Sequence, residues 1–124
     1  MASYNQIIIV GNCGGEPEMR YLESGDPVTS FSVAVDNGRF VNEAWKEDVE
    51  WYRVSCFGKM AESVNRRLTK GEPVMVVGRL KCRRWDDKEG KARYSLEVRA
   101  NKVISFSKKK TAAADEEVES DMPF

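Results

Sequence analysis

Apolar and polar side chains alternate along residues 50–57, and this period of two predicts a β-strand with two different faces. The face formed by Tyr52, Val54 and Cys56 is suited to a protein core. The opposite face combines two large aromatics with a cation and a hydroxyl, in Trp51, Phe57, Arg53 and Ser55. We therefore expect this strand to have a core side and a chemically mixed outer side.

The mixed face permits two interpretations. Burial would leave the Arg53 charge without a partner, and simple exposure would place two large aromatics in water without a purpose. Aromatic rings beside cations suit single-stranded nucleic acid, whose bases stack on the rings while its phosphates meet the charges. The alternative is that Trp51 and Phe57 belong to a core or an oligomer interface, with the register shifted by one. Residues 50–59 alone do not separate the two interpretations.

A second predicted strand, residues 73–85, repeats the mixed pattern. One side is apolar or small, with Val74, Val76, Gly78, Leu80 and Cys82. The other side begins with two apolar residues and continues with three cations and a tryptophan, in Met75, Val77, Arg79, Lys81, Arg83 and Trp85. Because two separate strands carry the same kind of face, the nucleic-acid interpretation is favoured over a shifted register.

The remaining pattern defines the fold class. Further strands are predicted at residues 4–13, 28–36 and 93–106, whereas residues 16–27 read as turn and extended chain and residues 37–48 as a polar loop. Helical spacing of apolar residues after Gly58 predicts one helix that ends at Gly71. This order predicts an all-β OB-fold, a five-stranded Greek-key barrel with one helix between strands 3 and 4.

The first strand is apolar on both faces over residues 7–10. A strand that needs cover on both sides suits contact with another copy of the chain, and Met75 and Val77 would add an apolar patch to the outer sheet. We therefore expect a homo-oligomer.

The polar loop carries aromatics beside bases, in Arg39, Phe40, Trp45 and Lys46. Exposed aromatics in such a loop suit base stacking. Trp45 is equally compatible with a side chain that folds back onto the sheet, and the sequence leaves these two possibilities open.

Charge is distributed unevenly along the chain. The first 110 residues carry all 20 Lys and Arg against 15 Asp and Glu, whereas the last 14 carry five acidic residues and no base. A basic body suggests an anionic partner. We expect a single domain over residues 1–107 and a flexible, disordered acidic tail over residues 108–124. Since no apolar run is long enough for a membrane span, we expect a cytoplasmic protein that does not contact membranes.

Catalytic and metal chemistry find little support in the composition. The chain has no histidine, and its three cysteines, Cys13, Cys56 and Cys82, are far apart, so they are expected to be reduced thiols packed as small apolar groups. Acidic clusters at residues 47–50 and at residues 86–89 are interpreted as solvated loop charge. We predict no cofactor, no metal and no enzyme activity. A small enzyme that uses the carboxylates of Asp86, Asp87 and Glu89 is a third possible function, which only these acidic residues support.

The chain resembles the bacterial single-stranded DNA-binding protein family along its whole length. The matching motifs are Ile-Ile-Val-Gly-Asn at residues 8–12, Gly-x-Pro-Glu-x-Arg-Tyr at 15–21, Glu-Trp-x-Arg-Val at 50–54, Phe-Gly-Lys-x-Ala-Glu at 57–62, Arg-x-Trp at 83–85, Arg-Tyr-x-x-Glu-Val at 93–98 and the terminal Met-Pro-Phe. The resemblance implies an OB-fold homotetramer that coats single-stranded DNA in replication, recombination and repair and is associated with the nucleoid.

The resemblance also implies roles for particular residues. Stacking aromatics of the family fall on Trp51, Phe57 and Trp85, with a loop aromatic at Phe40, where the family often has tryptophan. The acidic end of the family is a docking peptide for replication, recombination and repair enzymes, which here implies Asp121, Met122, Pro123 and Phe124. This chain departs from the family in its short connection over residues 107–120 and in having one acid at the tip. An RNA-binding or primosomal OB-fold protein is the alternative, but it has no need of such a tip.

Overall fold

The computed structural model describes residues 1–106, and the predicted tail and docking tip lie outside the described residues. Five long strands and one helix occur in the predicted order, which confirms the OB-fold. The strands are β1 (Ile7–Cys13), β3 (Pro27–Asp36), β6 (Val49–Phe57), β7 (Pro73–Asp86) and β8 (Ala92–Ser105), with helix α1 (Lys59–Arg67) between β6 and β7. This helix has nine residues, and no helix within residues 1–106 is long and apolar enough to cross a membrane.

The five long strands close into a ring because β1 pairs on both of its edges. It lies antiparallel to β7 from Ile7 to Asn12 and to β3 through Asn12 and Cys13. The remaining neighbours run β7, β8, β6 and β3, and the β6–β8 pair is the parallel one. Closure removes unpaired strand edges, which an open sheet would leave exposed.

Inward-facing side chains of the ring form the core. Val33, Val54, Val74 and Val76 are completely buried, and α1 covers one end of the barrel with Ala61, Val64 and Leu68. Burial of these apolar side chains is the main stabilising contribution to the fold. The prediction that Val54 and Cys56 face the core is confirmed, and burial raises the pKa of the Cys56 thiol to about 12.

Two local predictions were wrong. The helix ends at Arg67 instead of Gly71, and Gly71, with a φ of 90°, belongs to the turn that follows. In that turn the buried Glu72 carboxylate accepts hydrogen bonds from the Thr69 amide and hydroxyl. Cys82 is exposed, because the β7–β8 ribbon extends beyond the barrel and leaves both of its faces in solvent.

Two short segments that the sequence did not predict as strands also pair. Strand β2 (Glu18–Tyr21) lies along the first half of β3, so only a few ladder bonds hold it. Strands β4 (Arg39–Val41) and β5 (Ala44–Lys46) form a separate hairpin within the predicted polar loop. Their two-residue turn holds Asn42 at φ 53° and Glu43 at φ 64°. Tight hairpin turns require such positive φ values, usually with glycine at the second position.

Candidate nucleic-acid interface

The outer face of β6, β8 and β7 carries most of the predicted binding residues. Cross-strand pairing places Arg53 beside Glu97 and Glu97 beside Lys81, so these three residues form one row across the sheet. Glu97 is also within 3.3 Å of the Arg83 guanidinium, and this ion pair partly neutralises the row. Sequence analysis did not place Glu97 between the cations, because that position depends on the register of β8 against β6 and β7.

Trp51 lies near the start of β6 with 57% of its surface exposed, which contradicts the alternative of a core residue. Its indole ring packs over Gly14, since a Cβ built on that glycine would lie only 2.5 Å from the Trp51 Cζ3 atom. The Gly14 amide in turn donates a hydrogen bond of 2.8 Å to the Ser32 carbonyl. The missing side chain at Gly14 thus allows the ring to lie against the sheet while remaining open to solvent.

Trp85 lies at the far end of β7 and is 44% exposed. Its indole N–H donates to the Ser95 hydroxyl at 3.0 Å, which orients the ring along the β7–β8 ribbon.

Asp87 holds the adjoining turn by accepting hydrogen bonds from the Lys91 amide at 2.9 Å and from the Arg93 side chain at 2.9 Å. Hydrogen bonds from the Lys91 amide and from Arg93 lower the pKa of Asp87. This acidic cluster is thus used to build the turn, and within residues 1–106 no group of three potential ligands could hold a metal.

Phe57, the third predicted stacking residue, is half-buried and covered by an arginine. The Arg99 guanidinium carbon lies 4.2 Å from the centre of the Phe57 ring, which is a cation–π contact. Sequence reasoning missed Arg99. The only signal was its position beside the inward-facing Val98, which places it on the outer face of β8.

A second row lies next to the first, two residues later on β6 and β8 and two residues earlier on β7. Ser55 pairs with Arg99, and Arg99 pairs with Arg79 directly across the ladder. The structure therefore brings together the predicted residues Arg53, Lys81, Arg79 and Phe57 on one face. Arg83 and Trp85 continue this face onto the extended ribbon.

Phe40 is not part of this sheet. It is 73% exposed on the β4–β5 hairpin and makes an edge-on contact of 5.2 Å with the ring of Trp45. The Trp45 ring also packs over Gly38, and its indole N–H donates to Asp36 at 3.2 Å. Trp45 therefore folds back onto its own hairpin and onto the end of β3, where Asp36 accepts its hydrogen bond.

A groove of about 340 Å³ borders the candidate interface next to Arg53. It lies between the connection from β1 to β2 and the sheet, and its lining includes Ser30, Ser32 and Arg53 together with Glu16 and Glu18. Hydroxyls beside an arginine can hydrogen-bond to phosphate or to the edge of a base. The groove borders the candidate interface on the β3 side of β6, and its two carboxylates oppose phosphate binding there.

A small closed barrel that presents aromatics and cations on an outer sheet defines the class of OB-fold nucleic-acid-binding proteins. Comparison with known proteins identifies the family within that class. The model of the single-strand binding protein family matches residues 4–106, and the chain belongs to this family.

Individual relatives agree with the family assignment. Single-stranded DNA-binding protein 1 of Xylella fastidiosa is 38% identical over 117 residues, which span 88% of this chain and 82% of that protein. The crystal structure of a small single-stranded DNA-binding protein from Streptomyces coelicolor is 33% identical, with a TM-score of 0.71 over 81% of this chain and 92% of that one. A Plasmodium falciparum SSB solved in complex with single-stranded DNA is 26% identical, with a TM-score of 0.72 over 86% and 98%.

Proposed function

We propose that this protein is not an enzyme and that it binds and coats single-stranded DNA without strong sequence preference. The observation that carries the proposal is the outer face of β6 and β7, where exposed tryptophans alternate with arginine and lysine. Family membership supports it, as does the structural likeness to the P. falciparum protein, which was solved with single-stranded DNA. A cytoplasmic, nucleoid-associated location and a role in replication, recombination and repair belong to the same proposal.

In the proposed mechanism, aromatic rings bind the bases and cationic side chains bind the phosphates. Bases stack on Trp51 and Trp85, with Phe57 and Phe40 as further aromatic contacts. Every base has a π-face, so stacking tolerates any sequence. Phosphates meet the cations between the rings, namely Arg53, Arg79, Lys81 and Arg83, and these contacts do not depend on the base.

Quenching of tryptophan fluorescence by oligo-dT of several lengths tests this function. We expect saturable quenching, with an affinity that falls as salt rises, because bound phosphates displace counterions. Competition with poly-U of equal length distinguishes the RNA-binding alternative. Preference for poly-U, or the absence of quenching at low salt, would contradict the proposal.

We further propose that the protein is a homotetramer. Ile8 and Val10 are 59% and 52% exposed on the outer side of β1. Their cross-strand partners are Val77 and Met75, and Met75 also pairs with Ile104 of β8, so these side chains form one apolar patch. Such a patch on the sheet of a small domain suits a self-complementary interface.

Val10→Asp is expected to break this interface. A carboxylate in the centre of an apolar contact would be desolvated without a partner, so association should weaken strongly. Sedimentation equilibrium of the parent should give a mass about four times 14.1 kDa, whereas the variant should give smaller species. Glu18→Asp, on strand β2, is the control and should retain the parent mass. A parent that sediments as a monomer at micromolar concentration would contradict the proposal.

Residues 121–124 are proposed to dock replication, recombination and repair enzymes. Phe124 offers an aromatic anchor, Pro123 limits the conformations to be ordered, and the preceding acids favour a basic pocket. Phe124→Ala should abolish capture of these enzymes from a bacterial extract while leaving oligo-dT affinity unchanged. Val118→Ala, an apolar change within the same acidic stretch, is the control. If Phe124→Ala captures these enzymes as well as the parent does, the docking proposal is wrong and the tail contributes only negative charge.

A further inference from the structure

We propose that Asp36 is a positioning residue for DNA binding, which acts through Trp45 to hold the β4–β5 hairpin so that Phe40 is presented to a base. This role rests on the proposed function and deepens it at one place. It separates Phe40, which contacts the base, from two residues that only position it. Trp45 is then a support within the hairpin and not a further stacking surface.

The first observation is that donors from three parts of the hairpin segment meet at the Asp36 carboxylate. Its Oδ1 atom accepts hydrogen bonds from the Gly38 amide at 2.8 Å and from the Asp48 amide at 3.3 Å. Its Oδ2 atom accepts from the Trp45 indole N–H at 3.2 Å. These donors lie near the start, at the end and in the middle of residues 37–48. One side chain at the end of β3 therefore ties the whole segment to the barrel.

Asp36 is itself fixed by the barrel. It is the last residue of β3 and pairs with Val49, the first residue of β6. One step beyond that pair, the Asn37 amide donates to the Asp48 carbonyl at 2.8 Å. Hydrogen bonds from the Asp48 amide and the Gly38 amide lower the pKa of Asp36. An ionised carboxylate only accepts hydrogen bonds, which suits the N–H donors around it.

The second observation is that Trp45 connects this carboxylate to Phe40. The Trp45 ring packs over Gly38, where a Cβ would lie 2.8 Å from the Cζ2 atom. Phe40 is the cross-strand partner of Trp45, and the two rings meet at an angle of 74° with 5.2 Å between their centres. With its N–H bound and its ring against Gly38 and Phe40, Trp45 cannot turn toward a base without losing these contacts.

Phe40 differs from Trp45 because it has no such anchor to the barrel and is 73% exposed. The ladder between β4 and β5 is short, and a two-stranded hairpin alone is marginally stable. Contacts at the base of the hairpin are therefore expected to decide how well it keeps one orientation. A hairpin that is already ordered loses less conformational entropy when Phe40 meets a base, so binding is tighter.

Asp36→Asn tests the positioning role. The amide can keep an oxygen for the backbone donors, but it then turns an NH₂ group toward the Trp45 indole N–H, and that hydrogen bond is lost. We expect the Kd for oligo-dT to rise about 2- to 10-fold, as for the loss of one hydrogen bond. Removal of a negative charge would by itself strengthen binding to DNA, so weaker binding does not arise from the change in charge.

Glu47→Gln is the matched control, because it removes the same charge from an exposed position in the same segment. Its Kd at low salt should equal that of the parent or be slightly lower. Trp45→Phe keeps an aromatic ring beside Phe40 but has no indole N–H. It should weaken binding as much as Asp36→Asn does, and the double variant should be no weaker than either single variant. Thermal unfolding of each variant checks that the domain remains folded.

A double-mutant cycle with Phe40→Ala identifies the residue through which Asp36 acts. Phe40→Ala should weaken binding on its own, and Asp36→Asn should then change the Kd little in the Phe40→Ala background. A purely structural role of Asp36 would weaken binding equally in both backgrounds.

The indole N–H resonance of Trp45 gives a direct signature of the hydrogen bond. It is identified in the ¹H–¹⁵N spectrum by its absence from Trp45→Phe. In Asp36→Asn it should move upfield and exchange faster with solvent, whereas the resonances of Trp51 and Trp85 should stay in place.

Four results would overturn the proposal. They are a parent-like Kd in Asp36→Asn, a parent-like Kd in Phe40→Ala, an unchanged Trp45 resonance in Asp36→Asn, and additive effects of Asp36→Asn with either Trp45→Phe or Phe40→Ala. Additivity with Trp45→Phe would mean that Trp45 contacts the DNA directly. Quenching of the parent by oligo-dT would persist in each case, so the proposed function would stand even if the role of Asp36 failed.

Discussion

Trp51→Ala and Trp85→Ala should each weaken oligo-dT binding by about 1–3 kcal/mol, the usual contribution of one base–aromatic stack. At about 1.4 kcal/mol per factor of ten, this is roughly a 5- to 140-fold rise in Kd. Both rings are about half exposed and each is oriented by one local contact, Gly14 below Trp51 and Ser95 beside Trp85. Neither substitution removes core packing, so the domain should remain folded.

Tyr94→Ala is the matched control for both tryptophan variants. Tyr94 is an aromatic of the same ribbon and is 66% exposed, but it pairs with Arg84 and therefore faces away from Trp85. Its removal should leave oligo-dT affinity within a factor of about two. Affinity is measured by fluorescence anisotropy of a labelled oligo-dT, since the variants lose part of the intrinsic signal. If a folded Trp85→Ala protein binds oligo-dT as tightly as the parent does, this face is not the DNA-binding site.

Gly78→Ala should destabilise the domain more than any exposed substitution. A Cβ at this position would lie 2.2 Å from the carbonyl oxygen of Arg99 on the neighbouring strand. Backbone cannot move aside as a flexible side chain can, so strands β7 and β8 would have to separate locally. The register between them is already irregular here, because Val77 pairs with Lys102 and Gly78 with Ala100. The extra residue, Asn101, forms a β-bulge that depends on this close approach.

The expected loss for Gly78→Ala is about 1–3 kcal/mol or more, as for overpacked cores. For a domain of this size each kcal/mol corresponds to about 4–8 °C in Tm. Gly15→Ala is the control, because a Cβ there would meet nothing within 4 Å. Thermal unfolding followed by circular dichroism should separate the two variants clearly. An equal Tm for parent and Gly78→Ala would show that the strands do not approach this closely at the bulge.

The two variants also differ in what they do to DNA binding. Gly78 directly precedes Arg79, one of the proposed phosphate contacts, so surviving folded Gly78→Ala protein should bind oligo-dT more weakly at low salt. Gly15 lines the groove beside Arg53, and its substitution by alanine adds one methyl group at the edge of that groove.

The local spacing of apolar and polar residues was sufficient to predict the five long strands and the helix. Alternation with a period of two assigned each residue of β6 and β7 to a face, and burial of Val54 and Cys56 against exposure of Trp51 and Arg53 confirms that assignment. Where the pattern was short, prediction failed. Strand β2 has four residues and depends on pairing with β3, and the β4–β5 turn places Glu43 at a positive φ that its side chain does not favour.

The sequence by itself determined the barrel, its core and the mixed chemistry of two strands, because period and residue type depend only on neighbours along the chain. It also determined the family, through motifs spread over residues 8–98. Only the tertiary structure decided which side chains meet across strands. Arg99 covers Phe57 because β6 and β8, about 40 residues apart in sequence, pair in parallel with Ser55 opposite Arg99. Register is a property of two strands together, so no reading of either strand alone could place Glu97 between the cations or Arg79 opposite Arg99.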